Sequence, residues 1–326
     1  MNNLNPKLFS SDVEMKATRD GFGEGLLIAS DENSNVVALC ADLTESVKMD
    51  SFAKKYPERF IEMGIAEQSM ASVASGMAVA GKVPFIGSYA IFSPGRNWEQ
   101  IRTTICYNNA NVKIVGSHSG VTVGEDGGSH QCLEDIALAR VLPNMTVIVP
   151  CDAIEAKKAT MAAAKINTPV YIRLSRPKTA VITTEETPFE IGKSQVFFTP
   201  KERAQVGIVA CGHLVYHSIK VAKELEDEGI FVSVLNLATI KPLDEEGLLH
   251  FTENAGGRIV TVEEHQIAGG MGSAVAEFFA KKNPIPMEFV GVKDVFGQSG
   301  TPDELIQKYG MGESSIKEAI KRVLQR

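Results

Sequence analysis

One carboxylate stands in a run of small and apolar residues, GIAEQSMASVASGMAVA (64–80). Helical spacing sets Glu67 beside Met70, Ala71, Ala74 and Ala78, an apolar face. Two readings fit an acid there. In the first, it complements the positive end of a helix dipole. Alternatively, burial disfavours its charged form, so that the acid donates a hydrogen bond to a ligand nitrogen.

A second concentration of reactive side chains is GSHSGVTVGEDGGSHQ (116–131), with His118, His130, Asp126 and five glycines. Two imidazoles and a carboxylate in one loop suit recognition of a hydroxylated substrate. No further His or Cys at metal-ligand spacing completes a zinc set. Arg19, Ser46 and Arg176 are far apart in sequence, and each alone reads as surface. Brought together, the two guanidiniums would make multidentate phosphate contacts. Tyr89 and Phe92 in SYAIF are three apart just past an apolar run, as core packing or as a stacking platform for a flat ring. EEHQIAGGMG (263–272) reads as a strand, a Gly-rich turn and a helix start that could receive an anion.

These loops need a scaffold, and the chain alternates β-branched runs with helical patterns from residue 35 onward. Strands are expected at NVVALCADL, KVPFIGSY, NVKIVGSH, MTVIVPC and VYIRL, with helices at 66–80, near 96–109, at LEDIALARVL and at IEAKKATMAAAKI. Such alternation predicts a parallel sheet covered by helices. The stretch 175–203, rich in Pro, Thr and Glu, breaks the rhythm and is read as a linker. A second alternation follows. The expected organisation is a lead-in over 1–11, an α/β domain over 12–174, the linker, and a second α/β domain over 204–326. Both domains are open and doubly wound, and such folds carry their sites in loops at the carboxyl ends of strands.

With 326 residues, the chain is long enough for two cores. A net charge of -7 without clustered Lys and Arg disfavours nucleic acid or an anionic membrane as a partner. Five scattered cysteines without a CxxC pair fit a reducing compartment, so the expected location is cytoplasmic. No apolar signal core or run of membrane-spanning length is read in the sequence.

RFIEMGIAEQSM, GSHSGVTVGEDGGSHQCLEDIAL, RLSRP, TIKPLD and RIVTVEEHQIAGGMG together resemble the C-terminal half of transketolase, over about residues 12–326. The resemblance implies a pyrimidine-binding domain followed by the transketolase C-terminal domain. The family's magnesium-holding Gly-Asp-Gly does not occur in the sequence. The chain therefore resembles one subunit of a split transketolase, whose partner, an N-terminal diphosphate-binding subunit, would hold Mg2+ and the diphosphate of thiamine diphosphate. A heterotetramer of two plus two is the implied assembly.

By the same resemblance, Glu67 matches the acid that contacts the aminopyrimidine and favours the tautomer that removes the thiazolium proton. Asp42, Leu43, Tyr89 and Phe92 match residues lining the cofactor. His118 and His130 match histidines that bind ketose oxygens and assist proton transfer. Asp126 matches a residue that reads a sugar hydroxyl, and Arg19, Ser46 and Arg176 match the phosphate-binding set. The implied reaction moves a two-carbon ketol unit from a ketose phosphate such as xylulose 5-phosphate to ribose 5-phosphate or erythrose 4-phosphate. Gly128-Ser129 and Ser119 depart from the common family pattern, which leaves the sugar open. Ser117-His118 stands where deoxyxylulose-phosphate synthases typically carry Asp-Arg. The β subunit of a 2-oxoacid dehydrogenase-type decarboxylase has the same layout and is the nearest rival, but GEDGGSHQ and SRP favour ketol transfer. A non-catalytic binding protein on this fold is the remaining alternative.

Overall fold

The computed structural model describes residues 3–326. Strand β1 (Met15–Ala17) leads into α1 (Thr18–Glu32), β2 (Val36–Cys40), α2 (Asp50–Lys55), β3 (Phe60–Glu62), α3 (Glu67–Val79), β4 (Val83–Tyr89) and the short turn α4 (Trp98–Gln100). Then come β5 (Lys113–Ser117), α5 (Asp135–Arg140), β6 (Thr146–Ile148), α6 (Ala153–Lys165), β7 (Val170–Arg173) and β8 (Lys178–Ala180). The second half contains β9 (Gln195–Phe198), β10 (Val206–Ala210), α7 (Leu214–Asp227), β11 (Val232–Asn236), β12 (Thr239–Lys241) and α8 (Glu245–Asn254). It closes with β13 (Ile259–Gln266), α9 (Met271–Lys282), β14 (Met287–Val292), α10 (Pro302–Lys308) and α11 (Glu313–Leu324).

The first sheet has the order β12-β6-β7-β5-β4-β2-β3, and the second β14-β13-β10-β11-β9. All pairings are parallel except those of β12 with β6 and β9 with β11. The expected pair of doubly wound α/β units is present. In the first sheet the chain steps from β2 outward to β3, then returns to β4 on the other side. This reversal opens a crevice between the carboxyl ends of β2 and β4, the place where such sheets take their ligands.

Helix α1 was not expected, because three glycines in TRDGFGEGLLIASDE lower helix propensity. Packing explains them. A Cβ at Gly21 would lie 1.8 Å from the Ala153 carbonyl oxygen, and one at Gly25 would lie 2.6 Å from that of Lys157. The glycines let α1 lie directly on α6, where Phe22, Leu26 and Ala29 share a core with Ala156, Ala159 and Ala163. On the opposite face Met70, Ala71 and Ala74 of α3 join Ile101, Ile105 and Ile136 in a core that continues through Val147 and Val149 to Leu235, Leu248 and Phe279. The two halves thus share one apolar layer.

The stretch 175–203 contains more than a connector. Its β8 pairs antiparallel with β1, and its β9 forms an edge of the second sheet. Near 96–109 the expected helix becomes one short turn and a π-helical stretch over Ile101–Cys106. Thr103 and Thr104 hydroxyls donate there to the carbonyls of Glu99 and Gln100.

Asp152 fastens the start of α6 to the chain leaving the first sheet. Its carboxylate accepts the N–H groups of Glu155, Ile182 and Thr183 at 2.8, 2.7 and 2.6 Å, and the Thr183 hydroxyl. Asp152→Ala removes a helix cap and leaves buried donors unpaired, and is expected to cost about 3 kcal/mol of stability. A urea unfolding midpoint equal to wild type would contradict this.

Candidate active site

The crevice is built from the loops that follow β2, β4 and β5. Glu67 is the first residue of α3 and 2% exposed. Both sequence readings capture part of its setting, since it lies at a helix start and is buried. Beyond the apolar face of its own helix it has polar partners: Arg96 Nη1 donates to Glu67 Oε2 at 2.9 Å, and Asn97 Nδ2 donates to the Glu67 carbonyl. Arg96 is itself about half exposed and lies over the Phe92 ring, 4.7 Å from its centroid. Nor is α3 buried all round, because Val73 and Val79 are exposed, as is Ile65 just before it.

Four rings form a continuous wall. Tyr89 stacks on His118 with centroids 3.9 Å apart and planes 18° from parallel, and lies nearly parallel to Phe92 at 6.0 Å. His130 meets Phe92 edge-on at 5.6 Å. Each histidine has the hydroxyl of the preceding serine at its Nδ1, Ser117 for His118 and Ser129 for His130, both at 3.0 Å. In both rings Nε2 is therefore the nitrogen turned away from the serine. Ser129, one of the positions departing from the family pattern, has a definite partner.

His118 adopts φ +51° and Asp42 φ +57°, left-handed conformations that Asp and His enter more readily than most non-glycine residues and that cluster at functional sites. Burial, reinforced by the charges of Arg19 and Arg176, pushes the His118 imidazole down to about 3. It is therefore neutral at physiological pH, and its Nε2 is free to hydrogen-bond a substrate oxygen.

The dispersed arginines converge. Arg19, in the first turn of α1, donates from Nη1 to the Ser46 carbonyl at 2.8 Å, and its buried Nε has no hydrogen-bond partner. Burial lowers its affinity for a proton, with the Arg176 charge adding to the effect. Arg176 Nη1 donates to the Val123 carbonyl and contacts Glu125 at 3.1 Å. Two neighbouring guanidiniums, one with an unused buried donor, are suited to a dianionic group. Ser46 contributes its backbone carbonyl to this set.

Asp42 and Asp126 are exposed, and among the described residues no side-chain hydrogen bond ties either to the ring cluster. Leu43 packs on the same core as Tyr89. Glu62 holds this loop, accepting the Asp42 N–H at 2.7 Å, the Thr44 hydroxyl at 2.8 Å and the Gly64 N–H at 3.1 Å. Neither Glu62 nor Arg96 was singled out in the sequence, although both lie inside the conspicuous stretches RFIEMGIAEQSM and GSYAIFSPGR.

The Gly-rich turn after β13 is not open to an anion. Glu263 already accepts the Met271 and Gly272 N–H groups at 2.6 and 2.8 Å, so the protein's own carboxylate occupies the start of α9.

Residues 14–181 match the transketolase pyrimidine-binding domain, and residues 198–316 the transketolase C-terminal domain. A putative transketolase C-terminal section from Methanocaldococcus jannaschii is 42% identical over 309 residues, 94% of this chain and 95% of that protein. The 6-deoxy-6-sulfo-D-fructose transketolase subunit SqwH of a Clostridium species is 36% identical, with 98% of each chain covered. A solved structure described as a split gene transketolase, inactive beta4 tetramer, superposes with a TM-score of 0.88 at 44% identity, covering 95% of this chain and 99% of that one. The chain belongs to the transketolase family and corresponds to its C-terminal section. That family is thiamine diphosphate-dependent. The crevice fits the pyrimidine end of such a cofactor: a buried carboxylate is joined through Arg96 to the near-parallel Phe92 and Tyr89 rings, and the neighbouring Asn97 has an unpartnered buried Oδ1.

Ring-proton NMR should show His118 without a protonation step between pH 8 and 5. A midpoint near the ordinary value of about 6.5 would contradict its burial between Tyr89 and the arginines.

Proposed function

We propose that this chain is the C-terminal subunit of a thiamine-diphosphate-dependent transketolase that moves a two-carbon ketol unit between sugar phosphates, such as from xylulose 5-phosphate to ribose 5-phosphate or erythrose 4-phosphate. The observation that carries the reading is the alignment of Glu67, the Tyr89–Phe92 pair, His118 and His130 along one crevice beside Arg19 and Arg176. Thiamine diphosphate, when bound, supplies the nucleophilic carbon and the electron sink for cleaving the ketose C2–C3 bond.

The chain's own residues do the rest. Glu67 contacts a pyrimidine nitrogen and fixes its tautomer, with Arg96 steering the carboxylate. Tyr89, Phe92, Leu43 and Asp42 line the ring's pocket. His118 and His130 hold the hydroxyl and carbonyl oxygens near C1 and C2 and move protons between them. Asp126 reads a hydroxyl further along the sugar, and Arg19, Arg176 and Ser46 hold the terminal phosphate.

Magnesium and the cofactor diphosphate belong to a separate N-terminal subunit in this reading, and the active unit is a two-plus-two heterotetramer in the cytoplasm. Among the described residues no cluster of His, Cys, Asp and Glu is suited to a metal ion. No helix among them is long and apolar enough to cross a membrane, and all five cysteines are free and buried. The exposed apolar side chains Ile65, Val73 and Val79 on and beside α3, with Tyr107 nearby in sequence to the π-helical stretch, support an assembled rather than a solitary chain. The relative named for a sulfofructose substrate points to a second donor class, because a sulfonate offers guanidinium groups the same three-oxygen face as a phosphate.

In the complex with a diphosphate-domain subunit from the same genome, Glu67→Gln is expected to lower ketol transfer from xylulose 5-phosphate at least about 100-fold, with assembly unchanged. Turnover near wild type would remove Glu67 from its assigned role. Arg176→Met should raise KM for phosphorylated or sulfonated ketoses about tenfold or more and leave kcat within a few fold, since it removes binding common to ground and transition states. An unchanged KM would move the phosphate site elsewhere.

A further inference from the structure

The loop that carries His118, Asp126 and His130 is held from behind by the second domain. Glu264, in β13, is fully enclosed. Its Oε1 accepts the Thr122 N–H at 2.7 Å, and its Oε2 lies 2.8 Å from His213 Nε2 at the start of α7. Arg173 Nη2 donates to the Glu264 carbonyl at 2.7 Å. The loop is shaped to admit this carboxylate: Gly120 adopts φ +80°, and a Cβ there would lie 2.2 Å from Glu264 Cδ. At the loop's far end Gln131 Nε2 donates to the carbonyls of Val121 and Gln298, both at 3.0 Å.

Enclosing a carboxylate costs several kcal/mol unless charge and hydrogen bonds offset it. Here His213, Arg173 and the Thr122 N–H do so, and hold the acid below its ordinary range despite burial. An apolar side chain could fill the same space, but it could not grip a backbone N–H four residues after His118.

We propose that Glu264 is a positioning residue through which the second domain sets the placement of His118 and His130. The cofactor-facing residues Glu67, Asp42, Leu43, Tyr89 and Phe92 lie on other elements, and Tyr89 and Phe92 touch this loop only through the His118 and His130 rings, so loosening the loop should weaken substrate affinity far more than cofactor affinity. The consequence for turnover rests on the ketol-transfer reading; the clamp itself does not.

The test compares Glu264→Ala, Glu264→Gln and wild type as full chains in complex with the diphosphate-domain subunit. Glu264→Ala is expected to raise amide hydrogen exchange over 120–131 about tenfold, leaving β2 and β4 protected. Donor KM should rise about tenfold, with the thiamine diphosphate Kd within about twofold of wild type. Glu264→Gln keeps an acceptor for Thr122 and a donor toward His213, and should recover most of both effects. Unchanged exchange over 120–131 in Glu264→Ala would overturn the proposal. So would a parallel loss of cofactor affinity, substrate affinity and thermal midpoint, since that marks a general packing defect. A wild-type complex silent toward every ketose would remove the ketol-transfer reading, and the exchange result would still decide the clamp.

Discussion

The reversal of strand order at β2 and β4 is the constraint on which the site depends. Two neighbouring parallel strands whose connections leave in opposite directions cannot close the gap above their carboxyl ends. The loops bearing Asp42, Leu43 and Ser46, and those bearing Tyr89 and Phe92, are forced to opposite rims of one crevice. Strand β5, beside β4, delivers His118 to the same edge. Helix α3 returns from β3 to β4 and presents Glu67 from its first turn. The scattered chemistry-bearing residues therefore meet because of topology, not because of sequence proximity.

The protein repeatedly uses carboxylates, most of them buried, to hold backbone N–H groups. Glu62 secures the loop after β2, Asp152 the start of α6, Glu263 the start of α9 and Glu264 the substrate loop. Glu62 does this at the exposed rim; Asp152, Glu263 and Glu264 are buried, and several donors offset at least part of their desolvation, the condition under which a buried charge is tolerated. Glu67 differs. Its carboxylate has the partly exposed side chain of Arg96 as its partner, so it alone among these acids faces a group that can move aside.

The two α/β units and most central strands were legible in the sequence because runs such as VVALC, VPFIG and KIVGS are buried on both faces and read as continuous β-branched stretches. Helix α1 was hidden because its glycines serve contact with α6, which propensity alone misreads. Strands β8 and β9 lay in a stretch whose composition signals a connector. At the site, Glu67 and the paired histidines stood out by residue type. The meeting of Arg19 and Arg176 was not visible, since only the folded chain joins residues so far apart. Arg96 and Glu264 were overlooked for the same reason, as each takes its meaning from a partner on a different element.

On this reading the crevice is one half of a composite cofactor site. The most direct test is calorimetric titration of thiamine diphosphate with magnesium into this chain, into a diphosphate-domain subunit from the same genome, and into their stoichiometric complex. Tight binding by the complex and by neither chain alone is the predicted result. Equal binding by this chain alone, or none by the complex, would contradict it.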